Sequence, residues 1–248
     1  MATQSIAILD FGSQLTKVIA RRVRECNVHS RIYPFGVTPE TLRADGVVGV
    51  ILSGGPDSVK AKGSPHPHPG VFEMGLPVLG ICYGAQLIGQ QLGGVVGRGM
   101  QGEYGRARMT RTGPSLLLPD EAPAEHDVWM SHFDAVTELP AGFVATASTA
   151  DAPMAVIENT SRRIFGVQYH PEVMHTDFGQ DLLQRFLIDI AGCRPDWTMS
   201  SIVEEQVAAI RAQVGNERAI CGLSGGVDSS VAAALVHKAI GNQLTCVY

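Results

Sequence analysis

Short apolar runs alternate with helix-like stretches along the first part of this chain, and few folds accept that rhythm. Ile6 to Leu9, Val28 to Tyr33, Val47 to Leu52 and Val78 to Ile81 are short and apolar, whereas about Gln14 to Glu25 and the stretch from about Ala85 carry a helical pattern. Strands separated by helices pair in parallel as βαβ units. Helices then cover both faces of the sheet, and a run such as VVGVIL, Val47 to Leu52, fits a central strand buried on both sides. From Val95 to Val156, glycine and proline punctuate what reads as a series of shorter strands, before a last strand at Ile164 to Tyr169. Phe178 to Ala191 then sets Leu182, Leu183, Phe186, Leu187 and Ile190 on one helical stripe. The expected class is α/β, a mixed sheet with helices on both faces.

The breakers Gly192-Cys193-Arg194-Pro195-Asp196 end this pattern, and Ser200 or Ser201 is placed to cap a helix running to about Val214. The expected division is a first domain at 1–194, a linker at 195–199 and a second region at 200–248. That region reads as strand (Arg218 to Leu223), glycine-rich turn, helix (Ser229 to Ile240) and strand (Leu244 to Tyr248). One βαβ unit leaves sheet edges and a face uncovered, so 200–248 is expected to be the N-terminal part of a larger, truncated domain.

Apolar residues make up 45% of the 248 and charged residues 17%, enough to build a core. A net charge of -5 argues against a basic nucleic-acid surface. No leader-like N-terminus and no membrane-length apolar run is present, so a cytoplasmic location without membrane contact is expected. The five cysteines, Cys26, Cys82, Cys193, Cys221 and Cys246, are widely spaced and include no CxxC pair, which points to reduced thiols and no zinc.

One cysteine sits differently from the rest. GICYGAQ, Gly80 to Gln86, follows an apolar strand and precedes a helix, giving the form G-x-Cys-x-G. Such an elbow strains the nucleophile's backbone, needs glycines where side chains would collide, and presents the thiol at the positive end of a helix, which favours thiolate. Taken alone the pattern is more often a packing cysteine beside two turn glycines. VQYHPE, Val167 to Glu172, reverses that balance, because it ends a strand at Tyr169, places His170 in the loop at the sheet edge and lets Glu172 reach back past Pro171 to orient the imidazole. A third strand end, LSGGPDS from Leu52 to Ser58, has paired glycines able to aim a backbone N-H at an oxyanion. His66-Pro-His68-Pro69 looks like a metal site but lacks helical spacing or a nearby carboxylate, and reads as a solvated loop.

These segments, together with ILDFGSQ (Ile8 to Gln14) and VWMSH (Val128 to His132), resemble the class I glutamine amidotransferase domain of the GMP synthetase family. The resemblance implies the flavodoxin-like α/β fold of those domains and a catalytic triad of Cys82, His170 and Glu172. It further implies an oxyanion hole from the N-H groups of Gly55 and Tyr83, and glutamine held by Gln86 and the backbone of Ser131 and His132. Phe133 departs from the family, which usually has glycine after Ser-His.

LSGGVDSS, Leu223 to Ser230, lies between a strand and a helix. The N-H groups of Gly225, Gly226 and Val227, the hydroxyls of Ser224, Ser229 and Ser230, and the helix N-terminus make an anion cradle, with Asp228 as helix cap or Mg²⁺ ligand. No Gly-Lys-Ser/Thr follows, so it is not a Walker A loop. It resembles the pyrophosphate loop of N-type ATP pyrophosphatases, an adenine-nucleotide α-hydrolase-like fold. The order of glutaminase, linker and SGGVDSS is that of the GMP synthetase family. This implies glutamine, ATP and XMP as substrates, ATP and Mg²⁺ as cofactors of the complete enzyme, none for glutamine hydrolysis, and a homodimer formed through a region absent here. At most glutaminase activity is expected of this chain alone. A free-standing γ-glutamyl hydrolase or peptidase would share the triad but has no use for a phosphate cradle, and a non-catalytic partner subunit has no use for the triad.

Overall fold

The computed structural model describes residues 4–248, which form two compact units divided after Pro195. In the first, β1 (Ser5–Asp10), β2 (His29–Pro34), β3 (Val47–Leu52) and β4 (Val78–Ile81) are parallel neighbours in the order β2-β1-β3-β4. The sheet continues through β9 (Ile164–Val167), parallel to β4, and then antiparallel through β8 (Val156–Asn159), β7 (Val144–Ser148), β5 (Val95–Arg111) and β6 (Glu125–Glu138).

Side chains on the parallel strands alternate between two buried layers. Ile6, Ile8, Ile51, Leu79, Ile81, Phe165 and Val167 pack on one face with Ile19 and Val23 of α1 (Thr16–Glu25) and Leu182 and Leu183 of α4 (Gly179–Arg185). Ala7, Leu9, Val50, Leu52, Val78 and Ile164 pack on the other with Leu42 of α2 (Pro39–Ala44) and Leu87 and Ile88 of α3 (Tyr83–Gln91). Burial of both faces explains why these strands have no polar alternation.

Three local readings are corrected. The segment from Val95 is not a set of short strands: β5 runs 17 residues and pairs with the 14-residue β6. Its glycines bend the strand without ending it, the register slipping between Arg98 and Glu103 where Gly102 takes φ +74°. The stripe from Phe178 is α4 followed by a π-type turn at Phe186–Ile190, which keeps Phe186, Leu187 and Ile190 buried. The helix near Ser200 starts at Met199, so Ser200 and Ser201 lie inside its first turn, not at its cap.

The second unit holds α5 (Met199–Val214), β10 (Ala219–Gly222), α6 (Val227–Ile240) and β11 (Leu244–Val247), with β10 and β11 forming a parallel pair. Its core is small: among the described residues, Val207, Ala239 and Ile240 are its buried apolar side chains.

Candidate active site

β4 delivers the chain to Cys82, whose φ of 52° and ψ of -105° lie outside the regions a cysteine normally adopts, and α3 begins at the next residue. The strain is held from several sides. Cys82 N-H donates to Val167 O at 2.8 Å, and its carbonyl accepts from Ala85 N and Gln86 N at 3.0 and 3.1 Å. A Cβ on Gly80 would lie 2.5 Å from the Gly84 carbonyl, and one on Gly84 would strike the carbonyl of Leu52. Only glycine fits either place, so the tight approach of β4, α3 and β3 fixes where the thiol points.

An imidazole comes from the segment beyond the neighbouring strand. β9 ends at Val167, and beyond it His170 N-H donates to Trp129 O at 3.0 Å while His170 O accepts from the Thr176 hydroxyl at 2.6 Å. Both backbone groups are thereby tied, and the imidazole is oriented by Glu172, whose Oε1 lies 2.8 Å from Nδ1. Glu172 is fully buried, its backbone carbonyl accepts from Arg22 Nε at 2.9 Å, and its Oε2 has no protein partner among the described residues. Nδ1 is committed to the carboxylate, which leaves Nε2 to meet Cys82. Burial works against a charged imidazole here, but the hydrogen bonds and charges of Cys82 and Glu172 outweigh it and raise the His170 pKa to about 10. Gly54 makes the room, since a Cβ there would sit 3.2 Å from His170 Cε1.

Cys82 opens into a cleft of about 380 Å³ whose wall includes Gly55, Tyr83, Gln86, Ser131, His132 and Phe133. The residues singled out for the oxyanion and for glutamine therefore share one cavity with the thiol. Tyr83 is the first residue of α3, so its N-H lacks an intrahelical acceptor. A Cβ on Gly55 would lie 2.9 Å from Phe11 O and 3.2 Å from the Tyr83 ring. Ser131 O is 3.6 Å from Cys82 Sγ. His132 is buried, its Nε2 3.3 Å from Glu103, which also accepts from Thr149 at 2.6 Å. Burial pushes the Glu103 pKa up, but those two hydrogen bonds prevail and its carboxyl is held below the usual range. Phe133 is half exposed, meets Tyr104 edge-on at 5.2 Å and carries the Arg98 guanidinium over its ring at 5.3 Å.

Two side chains at the site escaped sequence reasoning. Gln168 Nε2 lies 3.7 Å from Cys82 Sγ, and its Oε1 accepts from Gln86 Nε2 at 3.4 Å. Gln86 Nε2 also donates to Asp134 O at 2.6 Å, so its amide is already engaged within the wall. The Asp134 carboxylate in turn takes the Ser58 hydroxyl and faces Lys60 at 3.5 Å. The available signal was a lone polar residue inside an apolar strand end, GVQYHP, where burial demands a partner. Elsewhere, His66 is used structurally, with its nitrogens 2.8 Å from Ser64 O and 3.0 Å from Gln90 Oε1. All five cysteines are free, and Cys26 and Cys193 are packed in the core.

In the second unit, Leu223 to Ser230 curls tightly. Gly225 takes φ +79°, Ser224 Oγ is 3.1 Å from Ser229 Oγ, and the Ser229 and Ser230 hydroxyls donate to Gly226 O at 3.0 and 2.9 Å. Gly226 caps α6, Val227 is largely exposed, and Asp228 lies in the first turn. The described residues contain no cluster of three or more metal-ligating side chains, and no helix among them is long and apolar enough to cross a membrane. The single carboxylate of Asp228 beside this glycine- and serine-rich turn would suit Mg²⁺ only with phosphate and water supplying most of its ligands.

The family model for class-I glutamine amidotransferases matches residues 7–190, and that for NAD synthase matches residues 200–247. The chain is 54% identical over 244 residues to a GMP synthase [glutamine-hydrolyzing] of Thermobifida fusca, covering 98% of this chain and 46% of that protein. It is 53% identical over 247 residues to the enzyme of the same name from Streptomyces coelicolor, covering 100% of this chain and 47% of that protein. The chain thus spans about half the length of the curated relatives it matches. Among solved structures, a protein of Thermoplasma acidophilum described as a GMP synthase subunit superposes with a TM-score of 0.69 at 30% identity, covering 83% of this chain and 98% of that one. A glutamine amidotransferase of Thermotoga maritima shares the fold, with a TM-score of 0.56 at 18% identity over 77% of this chain and 99% of that one.

Proposed function

The chain belongs to the class-I glutamine amidotransferase family, and we propose that it hydrolyses glutamine at Cys82 to supply ammonia for the amination of XMP to GMP. The contact that carries this reading is His170 Nδ1 on the buried Glu172 at 2.8 Å, with the other face of the imidazole turned to a strained cysteine. His170 takes the Cys82 proton, and the thiolate attacks the side-chain amide carbon of glutamine. The oxyanion forms against the N-H groups of Gly55 and Tyr83, which are preorganised by a glycine turn and a helix start. Collapse expels ammonia, protonated by the imidazolium, and leaves a γ-glutamyl thioester on Cys82. Water, deprotonated by His170, then releases glutamate. Gln86 and the backbone of Ser131 and His132 line the space left for the amino acid.

The second unit adds a cradle for the phosphates of ATP at Ser224, Gly225, Gly226, Val227, Ser229 and Ser230, and Asp228 would help hold Mg²⁺, which offsets phosphate charge when bound. In the complete cytoplasmic enzyme, ATP activates XMP for attack by the ammonia, and the enzyme works as a homodimer. Glutamate release tests the glutaminase step. It should vanish in Cys82→Ala and persist when Cys26, Cys193, Cys221 or Cys246 is changed, and near-normal release from Cys82→Ala would end this reading.

A further inference from the structure

Between the cleft wall and the thiol runs a chain of buried amides that the triad does not use. Gln86, Gln168 and Cys82 are 4%, 2% and 5% exposed. The chain starts at a backbone carbonyl, Asp134 O, which only accepts, so the Gln86 group at 2.6 Å from it must be the NH₂. That NH₂ also faces Gln168 at 3.4 Å, so the Gln168 atom it meets is the carbonyl oxygen. The amide of Gln168 is thereby locked with its NH₂ toward Cys82 Sγ at 3.7 Å. An acceptor at one end of the chain dictates a donor at the other.

We propose that Gln168 is a positioning residue which, oriented by Gln86 and Asp134 O, donates a hydrogen bond to the Cys82 sulfur and so favours thiolate over thiol in the resting site. The inference rests on the reading of Cys82 as nucleophile and adds what holds it ready. A thiol has its own proton to place and gains little from a donor. A thiolate gains a charge-assisted hydrogen bond, roughly twice as strong as a neutral one. Ser131 O, at 3.6 Å on another side, suits the protonated sulfur, so the two contacts favour opposite states. The arrangement also assigns Gln86 a task besides lining the cleft, since its NH₂ is what sets the polarity of its neighbour. The other titratable groups turned toward this space are His170 beyond β9, Asp134 and His132 on β6, Asp57 after β3 and Tyr104 on β5.

The test is the pH dependence of alkylation by iodoacetamide, followed on the Cys82 peptide by mass spectrometry so that the exposed Cys246 does not interfere. Two variants are compared with the parent chain. Gln168→Glu keeps the oxygen that accepts from Gln86 and replaces the donor with an acceptor. Gln168→Met removes both polar groups at similar size. Each should raise the pH midpoint of Cys82 alkylation by about one pH unit or more, Gln168→Glu the more, with rates falling by up to about tenfold at pH values below the parent midpoint. Circular dichroism and thermal melts report folding independently, and the isosteric Gln168→Glu keeps the question open to refutation if Gln168→Met does not fold. A midpoint unchanged in a folded Gln168→Glu overturns the proposal while leaving the nucleophile in place. A parent chain in which Cys82 alkylates no faster than Cys246 overturns the reading on which it rests.

Discussion

The chain contains two strand-turn-helix elements built on the same plan, Ile81 to Tyr83 after β4 and Leu223 to Val227 after β10, and they differ in what surrounds them. At the first, glycines are required because backbone from β3 and α3 closes in, and the side chains around the thiol arrive from α3, β6 and the loop after β9. At the second, nothing lies within 4 Å of a Cβ added at Gly222 or Gly225, and the contacts of Ser224, Ser229 and Ser230 are all within the loop. One turn is strained, buried and assembled from distant segments. The other is relaxed, exposed and local. A shared local pattern therefore makes a reactive site only where the sheet around it supplies long-range partners, and each region should answer substitution accordingly.

The largest effects are expected where long-range partners meet. His170→Ala removes the base and should lower kcat for glutamate release by about 10³-fold or more, within the range that positioned general bases and their nucleophile partners supply. Glu172→Ala removes only the orienting contact and should cost less than His170→Ala by roughly 10- to 100-fold, because the imidazole remains. The reverse order in steady-state kinetics would mean that the carboxylate does more than orient. Gly84→Ala comes next. Its new methyl group would be driven into the Leu52 carbonyl, which is backbone and cannot rotate away, so a loss of about 3 kcal/mol or more is expected in urea unfolding. A Gly84→Ala protein of parental stability would remove the contrast between a tight elbow and an open loop.

The elbow was readable from the letters because its constraint is local: Gly80, Cys82 and Gly84 are close in sequence, and the steric need for glycine shows in the pattern itself. The pairing of His170 with Glu172 was readable for the same reason, being two residues apart. Gln168 and Asp134 were not, since their part depends on β9 and β6 bringing them to Gln86 across 82 and 48 positions. The length of β5 was hidden by Gly97, Gly102 and Gly105, which look like strand ends but lie in a bent hairpin whose partner, β6, decides the outcome. The six residues of α2 show no helical period of their own, and the helix is signalled only by its Thr38 cap and Pro39.

A smaller effect follows from charge. The contacts that hold the His170 imidazolium raise its pKa from 6.5 to about 10 in the folded state. The folded value exceeds the unfolded one, so the stabilisation is fully present below about pH 6.5 and is lost as pH rises through 10. His170→Gln should therefore be less stable than the parent by roughly 3 kcal/mol at pH 6, and the gap in urea midpoints should narrow steadily toward pH 10. A gap that stays constant across this window would mean that His170 is held by packing, not by its charged partners.

The smallest effects belong to the second turn. Gly222 has an ordinary φ and open space where a Cβ would go, so Gly222→Ala trades backbone freedom in the unfolded chain for nothing lost in the folded one. Its stability should change by less than about 0.5 kcal/mol, the usual span for exposed positions. Ser224→Ala loses the contacts of its hydroxyl to Ser229 Oγ at 3.1 Å and to Gly226 N at 3.4 Å, but both groups stand in water and exchange one partner for another. Its cost should be similarly small, and glutamate release should be unchanged because the contacts of this hydroxyl are local to the loop. Binding of inorganic pyrophosphate, followed by calorimetry with Mg²⁺, is where Ser224→Ala should differ from the parent and Gly222→Ala should not, since only the former removes a donor from the cradle. If Ser224→Ala instead lowers glutamate release while leaving pyrophosphate binding intact, the loop takes part in the glutaminase and the local character assigned to it is wrong.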